Sequence, residues 1–407
     1  MPKIKLPRKI RELVKKANGG CGKAAYAIAG HYRKGTGGVE ENDELARQWL
    51  VKAAELGHVG TQSDLGSMFY ELSEYEAARK WWEKAAAQGD VHAMKMLGQL
   101  YEDGRGVEKN KSTAAEWFLK AASTGDREAQ LNYGLFLDDE MGQYAAAREW
   151  YEKAAAQGDY DAMNNLGQLY DNGRGVERNK STAAAWYLKG ALKGNPCAQN
   201  NYGAYLELER EQYADALKWY ERAAAQGHTS AMYSLGFLYK EGEGVEQNIT
   251  TAAEWWRRAA CKGHAPSQCN YGAYLADVTL EYEAAMTWYE KAAAQGVANA
   301  MCNIGDMYYL GKGVRPDSSK AREWWEKAAA LGHEVAKNTL TRHTTEDLEH
   351  SLNRTAVLDD TNFVLQEKWL RNAVAERGDK KDVDLLNYVH AAKKKRFSMP
   401  WNSPGCR

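Results

Sequence analysis

The chain has 407 residues, more than a single hydrophobic core ordinarily serves, and its 54 basic and 55 acidic side chains leave a net charge of −1. That balance gives no bulk field to recruit nucleic acid or a membrane surface. No apolar run is long enough to cross a bilayer. The basic N-terminus lacks an apolar segment ending in a small-residue cleavage site, so it does not read as a signal peptide.

Residues 1–22 form a basic segment. Ile10, Leu13, Val14 and Ala17 fall on one helical stripe behind Pro7, surrounded by Lys3, Lys5, Arg8, Lys9, Arg11, Lys15 and Lys16. This pattern predicts a helix capping whatever follows. The alternative is an arm laid on a membrane surface or a nucleic acid.

From Lys23 to Val335 the chain repeats itself. Tryptophan recurs at Trp49, Trp81, Trp117, Trp150, Trp186, Trp219, Trp255, Trp288 and Trp324. Four residues after each stands alanine or, at Gly190, glycine, and four further on stands glycine, from Gly57 to Gly332. Upstream, glycine recurs at Gly66, Gly98, Gly134, Gly167, Gly203, Gly236, Gly272 and Gly305. A fixed period in this range is the signature of a stacked-repeat fold, in which each copy buries its face on its neighbours.

The copy spanning Ala93–Gly125 shows the unit. Ala93, Leu97, Gly98 and Tyr101 make one apolar face of a first helix. The glycine inside it costs about 1 kcal/mol against alanine. Its recurrence predicts a neighbouring helix crossing with no room for a side chain. Gly104, Gly106 and Val107 break the helix, and Asn110 is placed to cap the next one, as are Asn179, Asn248 and Asp317. Ala114, Trp117, Ala121 and Ala122 form the expected inner face of the second helix, and Gly125 ends it. From Trp81 the tryptophan spacing alternates 36, 33, 36, 33, 36, 33, 36, so the duplicated unit is a pair of about 69 residues, long copy then short copy.

The motif Ala-x-x-x-Leu-Gly-x-x-Tyr-x-x-Gly-x-Gly-Val, then Ala-x-x-Trp-x-x-x-Ala-Ala-x-x-Gly, stands almost unaltered at 93–125, 162–194, 231–263 and 300–332. It resembles the Sel-one-like repeat family, relatives of tetratricopeptide repeats, over roughly three quarters of the chain. The resemblance implies an all-α, right-handed solenoid of about nine antiparallel helix pairs that binds other proteins. Some bacterial members neutralise toxins as immunity proteins, and a cysteine-rich secreted branch has been linked to β-lactam binding.

After the repeats, 336–395 is expected to be a helical C-terminal cap. Trp369 and Ala373 keep the four-residue offset of a decayed repeat there, and Lys393–Arg396 is expected to be a solvated end. Residues 396–407 are expected to form a flexible tail. The cysteines are Cys21, Cys197, Cys261, Cys269, Cys302 and Cys406. Cys261 and Cys269 have the spacing that the resemblance associates with disulfides in the cysteine-rich branch, but it occurs once. The thiols are read as reduced and the protein as cytoplasmic, with a single disulfide left open.

No catalytic constellation emerges. His58, His228, His264 and His333 follow helix-ending glycines, but Asp90, Asp126, Asp159, Asn195 and Val297 fill the same place, which is a turn position rather than shared chemistry. Gly104-Arg105-Gly106 lacks the strand and the Gly-Lys-Ser/Thr ending of a phosphate loop. The repeats hold no Ser-x-x-Lys set. The expectation is a non-enzyme without cofactor or metal.

Binding is the stronger reading. At 100° per residue, the positions two and three before the in-helix glycine and one after it fall opposite the packing face. There the sequence places Asn132, Asn164, Asn165, Gln168, Asn200, Asn201, Tyr233, Phe237, Asn270 and Asn303. Asparagine is a poor mid-helix residue. Its recurrence fits amides bonding the backbone of an extended peptide, with Tyr233 and Phe237 as apolar anchors. It fits equally well amides that lock one copy to the next. The expected partner is a protein or peptide, not nucleic acid.

Overall fold

The computed structural model describes residues 6–343, and the structure is all-α there, without a strand among the described residues. The expected cap and tail from 344 onward, with Trp369, Ala373, Lys393–Arg396 and Cys406, lie outside the described residues, as do Lys3 and Lys5. Helix α1 (Arg8–Asn18) comes first and buries Ile10 and Ala17 against α2.

Nine helix pairs follow. They are α2 (Gly22–Arg33) with α3 (Asp43–Glu55), α4 (Val59–Glu71) with α5 (Tyr75–Ala86), and α6 (Val91–Asp103) with α7 (Lys111–Ser123). Then come α8 (Arg127–Leu135) with α9 (Tyr144–Ala156), α10 (Tyr160–Asn172) with α11 (Lys180–Leu192), and α12 (Pro196–Arg210) with α13 (Tyr213–Ala225). The last are α14 (Thr229–Glu241) with α15 (Ile249–Cys261), α16 (Ala265–Asp277) with α17 (Tyr282–Ala294), and α18 (Ala298–Leu310) with α19 (Ser318–Ala330). The last turn of α8 widens into a π-helix over Phe136–Glu140. Two compact units divide the chain, one through Ala231 and one from Met232.

Local chemistry sets the helix limits. Asn110, Asn179, Asn248 and Asp317 each accept the amide proton of a first-turn residue of their helix, at 2.9–3.0 Å. Gly125 ends α7 at φ +87°, a left-handed conformation that a side chain resists. Within each unit the core is serial rather than central. In the first unit it passes through clusters around Ile28, Trp82 and Tyr151. In the second it passes through Tyr289 and Trp325.

The in-helix glycine is indeed a point of closest approach, but the group pressed on it corrects the expected inner face. The residue after each anchor tryptophan, not the anchor, lies on the glycine. A Cβ on Gly236 would lie 2.1 Å from Trp256 Nε1, and one on Gly134 2.7 Å from the Tyr151 ring. Phe118 does the same at Gly98, where it is 5% exposed, while Trp117 is only half-buried. The reason is helical phase: with Ala114, Phe118, Ala121 and Ala122 turned inward, position 117 falls at the edge of the buried stripe. All nine anchor tryptophans are half-buried, and each has a Lys or Arg three residues on over its ring, from Lys52 at 5.0 Å to Lys153 at 3.5 Å. The first copy departs from the pattern. Leu50 stands where the ring would be, and a Cβ on Gly30 meets nothing within 4 Å.

Candidate interaction site

The asparagine-rich face divides into two kinds of residue. Some are ties between helices. Asn201 of α12 donates through Nδ2 to Asn164 Oδ1 of α10 at 3.0 Å, joining first helices of successive copies, and Asn164 is 6% exposed. Asn200 donates to Asn201 Oδ1 at 3.3 Å. The amides of Asn165, Asn270 and Asn303 lie beside the hydroxyls of Tyr151, Tyr233 and Tyr289, whose ionised form they favour. Burial pushes the Tyr151 phenol up, and the charge of Asp138, whose Oδ2 accepts its proton at 3.2 Å, pushes it further. Other residues are free of such ties: Asn132 is half-buried and Gln168 exposed, and neither makes a side-chain hydrogen bond among the described residues.

Among the described residues, three cavities lie beside this side of their own first helices, at equivalent positions of the repeat. Each lies between the first helix of a long copy and that of the following short copy, and the aromatic ring from the long copy's second helix forms its floor. The first, of about 300 Å³, is lined by Gln99, Glu102, Phe118, Asn132, Leu135, Phe136, Asp139 and Glu140. Sixty-nine residues on, about 290 Å³ is lined by Asp171, Tyr187, Asn201, Ala204, Tyr205, Leu208 and Glu209, with Arg178, Lys180 and Ala183. In the second unit, about 320 Å³ is lined by Phe237, Lys240, Ile249, Trp256, Asn270, Ala273, Tyr274, Asp277 and Val278. Asn132, Asn201 and Asn270 occupy the same place in the three cavities. Phe237 lines the third, while Tyr233 stands beside it in T-shaped contact with Phe237 at 4.9 Å.

Their polar groups differ. In the first, Glu102 is held above the usual carboxylate range by burial and then by the charges of Glu140 and Asp103. Glu140 is drawn below it by Lys111, whose Nζ lies 2.8 Å from Oε2. In the second, Lys180 and Glu209 form the equivalent ion pair. In the third, Ile249 and Val278 replace that pair.

A Sel1 repeat profile matches residues 22–58, 62–90, 91–126, 127–159, 161–195, 198–228, 229–264, 265–297 and 298–333. The chain belongs to the Sel1 repeat family. A Sel1 repeat protein from Oxalobacter formigenes is 29% identical over 82% of this chain and 90% of its own, with a TM-score of 0.54. A protective antigen of uropathogenic Escherichia coli with an SLR fold is 30% identical over 95% of this chain and 90% of its own, at TM-score 0.43. An immunity protein of Pseudomonas aeruginosa is 23% identical over 47% of this chain and 75% of its own, at TM-score 0.34. No curated protein matches the chain.

In these Sel1 repeats the residues after the helix-ending glycines are N-caps. Asp90, Asp126, Asp159 and Asn195 accept the third amide through a side-chain oxygen, and His58, His228, His264 and His333 do so through Nδ1. That shared task explains why Asp, Asn and His interchange there, whereas Val297 at the same place makes no side-chain cap bond. Burial holds His58 and His264 below their ordinary value, aided at His58 by Lys23. Cys21, Cys197 and Cys261 are exposed and Cys269 and Cys302 buried, all five as free thiols, and burial pushes Cys269 up to about 11.

Residues that sequence reasoning missed hold the copies together. Gln62, Gln130, Gln199 and Gln268 are buried in the short copies' first helices. Each accepts from a glutamine ending its own second helix: Gln88, Gln157, Gln226 and Gln295, at 2.8–2.9 Å. Gln62, Gln199 and Gln268 also donate to Ala54, Ala191 and Ala260 carbonyls at the end of the preceding long copy. The signal was their recurrence every 68 or 69 residues on the packing side, which the asparagine ladder overshadowed.

Proposed function

We propose that this chain is a non-catalytic interaction scaffold that holds an extended segment of a partner protein against the first-helix face. The observation carrying this reading is the recurrence of one cavity at the same positions of successive 69-residue units, each beside an asparagine. Two such recesses in the first unit, 69 residues apart along the chain, suit an extended peptide better than a single compact ligand. Asn132 and Gln168, without a side-chain hydrogen bond among the described residues, offer both donors and acceptors to its backbone.

The test is selection of a phage-displayed random 12-residue peptide library on the full chain. Selected peptides are expected to bind a variant carrying Asn132→Ala and Gln168→Ala at least about 10-fold more weakly, with unchanged helicity and melting. Equal binding by both proteins overturns the placement on this face.

A further inference from the structure

The mouths of the three cavities differ in kind at one pair of positions. In the first unit the pair is ionic, Lys111 with Glu140 at 2.8 Å and Lys180 with Glu209. In the second unit the same positions hold Ile249 and Val278, and Val278 is 52% exposed. Two residues on, Leu280 is 59% exposed and sits at φ +60°, where the equivalent residues are Gly142 and Glu211. A bulky apolar side chain in left-handed backbone is strained, and in water it gains nothing from burial to offset that strain. Two apolar residues therefore line this cavity where the equivalent positions carry Lys and Glu, and exposed Leu280 follows two residues on, where the copies carry Gly or Glu.

We infer that the cavity between α14, α15 and α16 is a socket for one large apolar side chain, of leucine, methionine or phenylalanine size, presented by an extended segment of another protein. This rests on the scaffold reading above and names its anchor. The volume, about 320 Å³, lies at the bottom of the range for ligand sites, about 300–1,000 Å³, and suits a side chain rather than a cofactor. Its floor is aromatic: Phe237 meets Trp256 edge-on at 5.5 Å, and Tyr274 forms a wall. Lys240 and Asp277 put one cation and one anion at the rim, where the first cavity of the other unit has Glu102 and Asp139. Lys240 pairs within the chain with its exposed neighbour Glu241. An apolar residue flanked by one acidic and one basic residue matches that rim in charge. A strip of three residues falls far short of the roughly 800 Å² per partner that a stable dimer buries, whereas one anchoring side chain needs no more.

The test exchanges the mouth, with Ile249→Lys and Val278→Glu together in the full chain. This installs the pair with which two other copies already fold, so the melting temperature is expected to match that of the parent. Peptides selected from the 12-residue library are expected to share a Leu, Met or Phe and to bind the exchanged protein at least about 10-fold more weakly. Alanine at that peptide residue should lose the same factor, without adding to the exchange. Should the double exchange melt early, Val278→Glu alone, at a half-exposed position, makes the same comparison. Equal binding by parent and exchanged proteins overturns the socket. Peptides without an apolar anchor, lost only in the Asn132→Ala and Gln168→Ala variant, overturn the socket and leave the scaffold reading standing. Enrichment of no peptide overturns both. A dimer in sedimentation that the exchange abolishes also overturns the proposal, because a second copy is then the occupant.

Discussion

Two faces of the same first helix behave oppositely along the chain. On one face, glycine meets a buried ring in eight successive copies, from Gly66 on Trp82 to Gly305 on Trp325. On the other, the position one past the glycine runs through Gln99, Leu135, Gln168, Ala204, Phe237, Ala273 and Asp306. Close packing leaves no choice on the first face, because a ring in contact with backbone admits only hydrogen at Cα. The second face touches solvent and cavities, so its chemistry can drift between copies without loss of the fold. Sameness on the first face thus marks packing, and difference on the second marks where the copies are free to diverge.

Trp82→Ala tests that contrast most severely. The ring is fully buried and its Nε1 donates to Ser63 O at 3.2 Å, so a loss of about 3–5 kcal/mol is expected in thermal melting. Trp81→Ala, at a half-buried anchor, should cost clearly less, and equal costs would erase the distinction between the two aromatics. Gly236→Ala forces a methyl against Trp256 and should lose about 1–3 kcal/mol. Gln199→Ala strands the Gln226 amide and the Ala191 carbonyl and should cost a similar 1–3 kcal/mol, roughly. Gly30→Ala inverts the sign: with open space at its Cβ, helix propensity alone should stabilise by about 1 kcal/mol. If Gly30→Ala destabilises as Gly236→Ala does, steric contact is not what keeps the glycines.

The smallest effect is a slope in pH. Neutral His264 accepts the Ser267 amide proton and the imidazolium cannot, and burial holds its folded value below the unfolded one near 6.5. The cap's contribution is therefore complete above that unfolded value and is lost as pH falls through the lower folded one. His264→Asn keeps an acceptor at the cap without a titrating group, so melting between pH 7 and 5 should sag less in the variant. An identical sag would remove His264 from the account.

Much of this was legible in the sequence. The tryptophan and glycine periods place the helix pairs, and Asn110, Asn179, Asn248 and Asp317 mark helix starts that the structure shows capped. The face carrying the cavities was legible as well, since 100° per residue puts Asn132, Asn201 and Asn270 on one side. What each amide does was not. Asn201 donates to Asn164 on another helix, and Asn165 and Asn303 lie beside tyrosines of the preceding second helices, while Asn132 makes no side-chain hydrogen bond among the described residues. These residues share a type and a register position, and no periodicity distinguishes them.

The all-α repeat, its 69-residue pairing and its helix limits are legible along the chain, because they depend on hydrogen bonds and side-chain spacing within a few turns of one helix. Packing alone puts the ring after each tryptophan, rather than the tryptophan, in the seam, closes the junctions with buried glutamines, and brings Ile249 and Val278 into the lining of one cavity. Those outcomes depend on which side chains from separate helices compete for the same volume, a quantity that exists only once the helices are packed.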